Sequence, residues 1–280
     1  MAPVTHPRAG ESYRPKDYWA GLHDSAEDLG IVGHPTLPLV VNRYLYANAA
    51  HGVLRGLDAA GAGIRGRTVL DVGSGTGFWV DLWRREGAAS VSGSDLVPAA
   101  VDRLRERFPD CEFAPADIGE QAPFPGSRFD VVTIMSVLHH LVDEQRFERA
   151  LANLASQLEP NGFLAVLDPL VVRGRWMPPS AESAHNVVRT LSRWKDAGAG
   201  AGLRVDTVVP TAAFFSDPVD AGSRSAFVAH RFFWRGITAA LQGRDRLAAV
   251  VVPPVAALDR AVTARLHAGP AAKLIVLRPA

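Results

Sequence analysis

The residues with the clearest chemical potential lie in a short glycine-rich segment in the first third of the chain. Residues 69–77 read Val-Leu-Asp-Val-Gly-Ser-Gly-Thr-Gly, so an acid, Asp71, precedes three alternating glycines. Glycine tolerates positive φ and lets a ligand approach bare backbone. The dinucleotide fingerprint G-x-G-x-x-G would require glycine at position 78, which is Phe78. Because a carboxylate beside the loop repels a pyrophosphate, the segment favours a cationic ligand.

Three histidines are the candidate groups for proton transfer. His139 and His140 follow the apolar run 129–135, and His185 comes later, in a predicted loop. Imidazole titrates near neutral pH, so each of them could act as a general base or orient a substrate. The alternatives are that the pair caps a strand and lines a pocket, and that His185 is a solvated loop residue.

Alternating strand and helix patterns must position these groups. Short apolar runs typical of buried strands alternate with segments of helical spacing, which predicts a parallel α/β sheet with helices on both faces. Strands are predicted at Thr68–Val72, Ala89–Ser94, Cys111–Ala116, Phe129–Met135, Phe163–Leu167, Leu203–Val209 and Lys273–Leu277. The later helices are predicted near Asn186–Ala197, Ser223–Leu241 and Val255–Leu266.

The glycine loop resembles the first motif of class I S-adenosylmethionine (SAM)-dependent methyltransferases, D/E-x-G-x-G-x-G. Four further segments match that family in order, namely Ser92–Asp95, Ala116–Ile118, Phe129–His140 and Leu158–Gly162. In the last of them, Glu159 and Asn161 depart from the family's Leu-Lys-Pro-Gly-Gly turn, and asparagine tolerates the left-handed backbone such a turn needs. The resemblance covers about residues 67–210 and the last strand.

The resemblance implies a fold, a cofactor and a set of contacts. The fold is a Rossmann-like α/β sandwich with a seven-stranded, mainly parallel sheet and helical cap insertions, and the cofactor is SAM, which leaves as S-adenosyl-L-homocysteine. Asp95 would hold both ribose hydroxyls. Asp117 would accept from the adenine amine, the Ile118 N–H would donate to a ring nitrogen, and the backbone near Met135 would face the methionine moiety. The implied cofactor-binding residues are Asp71, Gly73, Ser74, Gly75, Gly77, Asp95, Leu96, Asp117, Ile118 and Met135.

The regions outside this core are expected to cover the acceptor. The predicted division is a cap at 1–60, a SAM-binding core at 61–210, a helical insertion at 211–270 and a final core strand at 271–280. Both flanking regions are rich in aromatic residues, as apolar small-molecule pockets are.

Four residues are predicted on the substrate side: Tyr18, Trp19, Arg43 and His185. Arg43 could also pair with the methionine carboxylate. Ordinary packing of the cap helices is the alternative for Tyr18 and Trp19, and solvation is the alternative for Arg43.

Composition limits the class of protein and its partners. The 280 residues are 48% hydrophobic and 21% charged, which excludes a disordered chain, and the formal net charge of +1 does not suggest a nucleic-acid binder. The single cysteine, Cys111, excludes an internal disulfide, and no Cys/His spacing predicts a metal site. The first residues lack a signal-peptide core, and the apolar stretch 247–258 is too short to span a bilayer. A cytoplasmic enzyme without an integral membrane segment is therefore expected.

The predicted function is methylation of O, N or an electron-rich carbon of a small, aromatic specialised metabolite in natural product biosynthesis. The sequence lacks a carboxylate-rich magnesium set, a thiol cluster and an Asn/Asp-Pro-Pro-Tyr motif, which disfavours catechol, arsenic, nucleic-acid and protein-glutamine substrates. Alternatives are a sugar or lipid-linked acceptor, a non-catalytic SAM-binding partner subunit and a nicotinamide oxidoreductase. Helix 223–241 is predicted either to cover the pocket or to lie on a membrane surface.

Overall fold

The computed structural model describes residues 14–25, 29, 33–34, 37–173 and 185–280. The strands in these ranges are β1 (Thr68–Val72), β2 (Ser90–Asp95), β3 (Glu112–Pro115), β4 (Phe129–Met135), β5 (Leu158–Val171), β6 (Arg189–Thr190), β7 (Leu203–Pro210) and β8 (Ala272–Pro279). Seven of them form a continuous sheet in the order β3-β2-β1-β4-β5-β8-β7. Only β8 is antiparallel to its neighbours, and β6 pairs with the end of β5. The predicted Rossmann-like, mainly parallel sheet is confirmed.

Helices lie on both faces of the sheet. They are α1 (Pro15–Ser25), α2 (Leu39–Ala59), α3 (Phe78–Arg85), α4 (Pro98–Arg107), α5 (Glu144–Ser156), α6 (Leu191–Gly200), α7 (Arg224–Leu241) and α8 (Asp245–Thr263), with a short 3-10 helix at Leu138–His140. One buried cluster joins α2, α3 and α4 to the sheet, and a second joins α5 and α6 to it. Among the described residues, none of the helices combines the length and the apolar character needed to cross a membrane.

Helix α2 packs directly on the sheet, although the sequence analysis places it in a cap. Val53 and Leu57 are buried in the first core cluster, and a Cβ on Gly56 would lie 2.6 Å from Leu274 of β8. This helix therefore contributes to the core. The division at residue 60 stays a prediction.

A buried carboxylate fastens the start of the insertion between β7 and β8 to its last helix. Asp259 of α8 is fully buried, and its Oδ1 accepts hydrogen bonds from the N–H groups of Ala213, Phe214 and Phe215 at 3.1, 2.7 and 2.9 Å. Because several N–H donors satisfy this charge, it can be buried without water. The bonds tie the start of the insertion to its last helix.

Two predicted helix boundaries are wrong for identifiable reasons. The helix predicted from Asn186 starts at Leu191, because Arg189 and Thr190 are extended against β5 and the Thr190 hydroxyl accepts from Arg193 N–H as a helix cap. The helix predicted from Val255 starts ten residues earlier, at Asp245, and contains two prolines. Packing of its buried face against α2 holds that segment helical although proline disfavours a helix interior.

The sheet brings the chain's chemical groups to one edge. β1, β2 and β4 are parallel neighbours, so their carboxyl ends at Val72, Asp95 and Met135 lie side by side. In open α/β sheets, ligands bind at this edge.

Candidate active site

The glycine loop connects β1 to α3. Gly73, Gly75 and Gly77 have φ of 74°, 54° and 80°, a backbone region that favours glycine over other residues. The N–H groups of Gly73 and Ser74 donate to the Ser94 carbonyl at 2.8 and 2.9 Å. These bonds fasten the loop to the end of β2.

Gly77→Ala is expected to lower the free energy of unfolding by about 2 kcal/mol, because positive φ and close packing both disfavour a side chain. A Cβ there would lie 2.6 Å from Phe108 and 2.9 Å from Leu104. Gly126 is the matched control, since its φ is +85° and nothing lies within 4 Å of an added Cβ. Gly126→Ala is expected to lose about 1 kcal/mol in urea unfolding. Equal losses would contradict a packing role for Gly77.

Asp71 lies beneath the loop and does not reach the cleft wall. Its Oδ1 accepts from the Thr133 hydroxyl at 2.6 Å and from the Trp83 indole N–H at 3.4 Å, while its Oδ2 is buried with no hydrogen-bond partner among the described residues. Burial raises the pKa of Asp71 to about 6. A cation above the loop would favour the ionised carboxylate. Asp71 therefore suits a cationic ligand without touching it.

Asp95 lines the cleft beside the glycine loop. Its Oδ2 accepts from the Gly75 N–H at 2.8 Å and its Oδ1 from the Val97 N–H at 2.9 Å. The carboxylate is therefore held in one orientation with both oxygens already anchored. Its role toward the ribose stays a prediction.

Asp117 and Ile118 form the wall beyond β3. Asp117 accepts from Arg146 at 2.6 Å and from the Gly119 N–H at 3.0 Å, and Asn153 donates to the Ile118 carbonyl at 2.8 Å. These bonds fix the segment in place. Arg146 also shares the Asp117 carboxylate, so an adenine amine at this position would be a further donor to a group that is already ion-paired.

A cleft of about 940 Å³, including its open mouth, lies over these residues. Its wall contains most of the predicted cofactor residues, one of the two predicted catalytic histidines and one of the four predicted substrate-side residues. The predicted residues on the wall are Gly73, Ser74, Gly75, Asp95, Leu96, Asp117, Ile118, Met135, His140 and Trp19. Asp71, Gly77, His139, Tyr18, Arg43 and His185 are not on it.

The predicted substrate-side residues separate into two groups. Trp19 lies on the wall, 5.0 Å from the His140 ring centroid, and Tyr18 stacks on His185 at 5.4 Å behind it. Arg43 is exposed on α2 and lies away from the wall, which favours its interpretation as a solvated side chain.

His140 has one hydrogen-bonded ring nitrogen whose role is fixed by its partner. Its Nδ1 lies 3.1 Å from the His185 carbonyl oxygen. A carbonyl can only accept, so Nδ1 carries the proton and neutral His140 has its lone pair on Nε2. Burial and the neighbouring His139 ring lower the pKa of His140 well below 6.5. The imidazole is therefore neutral at physiological pH, as a general base must be.

His139 pairs with a buried carboxyl group behind the cleft. Its Nδ1 lies 2.9 Å from Asp168 Oδ1, and the Asp168 side chain is only 2% exposed. Burial lowers the pKa of His139 and raises the pKa of Asp168. A single proton therefore joins the two side chains. With the His139 and His140 ring centroids 4.0 Å apart, this pair supports the His140 ring from behind.

Arg189 positions the histidine segment, and the sequence analysis did not identify it. From β6 its guanidinium donates to the carbonyls of Leu138 and Leu141, at 3.2 and 2.6 Å, and pairs with Glu144 at 2.8 Å. The bonds reach both ends of the 3-10 helix that carries the histidines. No local pattern predicts this contact, because Arg189 is about fifty residues away in sequence.

The aromatic wall also contains residues that the sequence analysis did not assign to the site. Tyr46, Phe78 and Trp79 line the cleft, and the Tyr46 ring meets Phe78 at a centroid distance of 4.9 Å. Burial raises the pKa of the Tyr46 phenol, which stays neutral. Phe78 and Trp79 directly follow the glycine loop, which was an available signal. Only the packing of α2 brings Tyr46 to them.

The glycine loop and the strands that follow it match a known protein family. Residues 69–162 match the family described as "Methyltransferase domain". The match is to a methyltransferase domain and covers 94 of the 280 residues.

Other proteins resemble the domain only in part. A ubiquinone biosynthesis O-methyltransferase of Neisseria meningitidis is 33% identical over 108 residues, which are 37% of this chain and 44% of that protein. A tRNA U34 carboxymethyltransferase of Pseudoalteromonas translucida is 38% identical over 114 residues, 40% of this chain and 34% of that protein. The matched stretches thus span less than half of either relative. The structure of the mitomycin 7-O-methyltransferase shares the fold, with a TM-score of 0.51 at 19% identity over 83% of this chain and 53% of that one.

The geometry of this cleft fits SAM, the cofactor that the sequence resemblance implies. The glycine loop offers backbone that side chains would obstruct, and the Asp95 carboxylate faces the cleft beside it. The unpartnered Asp71 Oδ2 adds negative potential below, which suits a sulfonium cation and opposes a pyrophosphate. Within the described ranges, no three His, Cys, Asp or Glu side chains are grouped to hold a metal ion.

Proposed function

We propose that this chain transfers the methyl group of SAM to O, N or an electron-rich carbon of a small, aromatic specialised metabolite. The observation that carries the proposal is the cleft itself. Asp95, His140 and the aromatic side chains of Trp19, Tyr46, Phe78 and Trp79 all line this one cleft. A concave apolar wall with few polar groups is typical of small-molecule sites.

The chain's contribution to the chemistry is alignment and exclusion of water. SAM, when bound, supplies a methyl group already activated by its sulfonium. The aromatic wall would hold a flat acceptor by stacking and displace water from the transfer path. Orientation of this kind can contribute on the order of 7–11 kcal/mol at the extreme. A base is needed only when the attacking atom carries a proton.

His140 is the base in this proposal. Its Nδ1 proton is committed to the His185 carbonyl, so Nε2 is the lone pair available to an acceptor hydroxyl or amine. The ring lines the cleft, whereas His139 does not. His139 acts as a positioning residue through its contact with the His140 ring and its bond to Asp168.

The rate with this base is expected to stay level as pH falls through 6.5, the ordinary pKa of histidine. Burial lowers the pKa of His140, so the base form persists to lower pH and is lost only when the ring is protonated. A kcat profile between about pH 8 and about pH 5 checks this. An acid limb centred near 6.5 would contradict it.

Charge supports a small acceptor over a nucleic acid. One relative acts on tRNA by its name, but the chain's net charge is only +1. Nucleic-acid binders usually draw their affinity from a strong basic excess. A lipid-linked acceptor is the second candidate, because the other relative belongs by name to ubiquinone biosynthesis.

Calorimetry and turnover test the proposal together. The chain is expected to bind SAM and not NADH, and to convert SAM to S-adenosyl-L-homocysteine with pooled phenolic and amine metabolites. Binding of NADH instead would indicate an oxidoreductase. SAM binding without turnover on phenolic, amine, sugar and quinone-lipid pools would indicate a non-catalytic partner subunit.

A further inference from the structure

The two insertion helices present an outward surface that the proposed function does not use. On α7 only Trp234 and Leu241 are buried, and on α8 the buried residues are Ala248, Val252, Ala256, Asp259 and Thr263. The remaining faces carry large apolar side chains in solvent. We call these the hairpin surface; its apolar members are Val228, Phe232, Phe233, Leu247, Val250 and Leu258.

The most exposed members decide what kind of surface this is. Phe232 is 74% and Val250 73% exposed, so most of each side chain lies in solvent. Isolated exposed apolar residues are common. Here, however, they recur along both helices, and Leu247, Val250 and Leu258 follow the spacing of a single helical stripe.

The same two helices carry an excess of positive charge. Between residues 224 and 263 the sequence contains six arginines and two aspartates, and one of those, Asp259, is buried. Asp217, just before α7, partly offsets Arg231 and Arg235. Because the whole chain is only +1, this excess concentrates positive charge on one element.

We propose that the hairpin surface docks on an anionic membrane surface. Arginines beside exposed phenylalanine and leucine are the composition of interfacial helices that lie in the headgroup region. Negative lipids attract each such arginine, and the apolar side chains enter the acyl boundary. A second copy of the chain is the weaker occupant, since a two-fold contact would bring the same arginines face to face.

The topology gives this docking a defined orientation. The insertion leaves β7 at Pro210 and rejoins the sheet at Ala272, which pairs with Pro169 near the end of β5. Both points are at the carboxyl edge, where the cleft lies. The inference stands on the surface alone and does not depend on the acceptor or on turnover.

Vesicle flotation tests it with the full chain. Binding is expected to vesicles of mixed phosphatidylcholine and phosphatidylglycerol, to be weak with phosphatidylcholine alone, and to fall as salt rises. Arg235→Ser with Arg246→Ser should weaken binding by about fivefold for each arginine. Phe232→Ser with Val250→Ser should also reduce it. All four side chains are exposed, so the fold should persist, which circular dichroism checks.

The matched control is Arg65→Ser with Lys195→Ser, which removes the same charge from exposed positions outside the two insertion helices. This control should bind vesicles like the unmodified chain. Equal weakening in the control and the hairpin variants would overturn the proposal, as would no binding to anionic vesicles at low salt. A dimer that dissociates on Phe232→Ser, with no vesicle binding, would assign the surface to a second copy instead.

Discussion

His140→Asn is expected to lower kcat by about 10²- to 10⁴-fold while leaving SAM affinity unchanged. The asparagine amide can still donate to the His185 carbonyl as Nδ1 does, so the wall keeps its anchor and loses only the base. Rates with the acceptor found by the turnover screen, together with calorimetry for SAM, measure the two quantities separately.

His139→Asn is the matched control for this effect. His139 lies off the cleft wall and bonds Asp168, so its replacement should cost less in kcat than that of His140. The loss of rate expected at lower pH, where the His140 ring becomes protonated, should be absent in His140→Asn and persist in His139→Asn. Full activity in both variants would leave alignment as the whole mechanism, and equal losses would assign the pair a structural role.

Asp95→Ala is expected to weaken SAM binding by roughly ten- to a hundredfold, the scale of about 1.5–3 kcal/mol for hydrogen bonds to a charged group. The carboxylate also anchors the N–H groups of Gly75 and Val97, so a loss of affinity alone does not identify its ligand. A ligand lacking the ribose hydroxyls separates the two effects.

The decisive comparison is between methylthioadenosine and its 2′,3′-dideoxy analogue. If Asp95 holds the ribose, the unmodified chain prefers the hydroxylated ligand, and Asp95→Ala loses that preference. If Asp95 only shapes the loop, both ligands weaken by the same factor in the variant. An unchanged preference would therefore sink the ribose assignment.

Local sequence patterns predicted the core strands and the glycine loop correctly. The run Phe129–Met135 is a strand with the predicted bounds, because a continuous apolar run is what a strand buried on both faces requires. The glycine loop was also predicted correctly, since its alternating glycines have positive φ angles that glycine tolerates. The start of α8 was predicted wrongly because its two prolines disfavour a helix locally. Tertiary packing overrides that preference.

The sequence by itself determined the sheet and its glycine loop, because strand burial and backbone conformation are properties of neighbouring residues. Only the tertiary structure decided that His140 lines the cleft and His139 bonds Asp168, since the partners of both rings are distant in sequence. It also placed Tyr46 on the wall and Arg43 in solvent. Those outcomes depend on how α2 packs, which is a contact between distant segments.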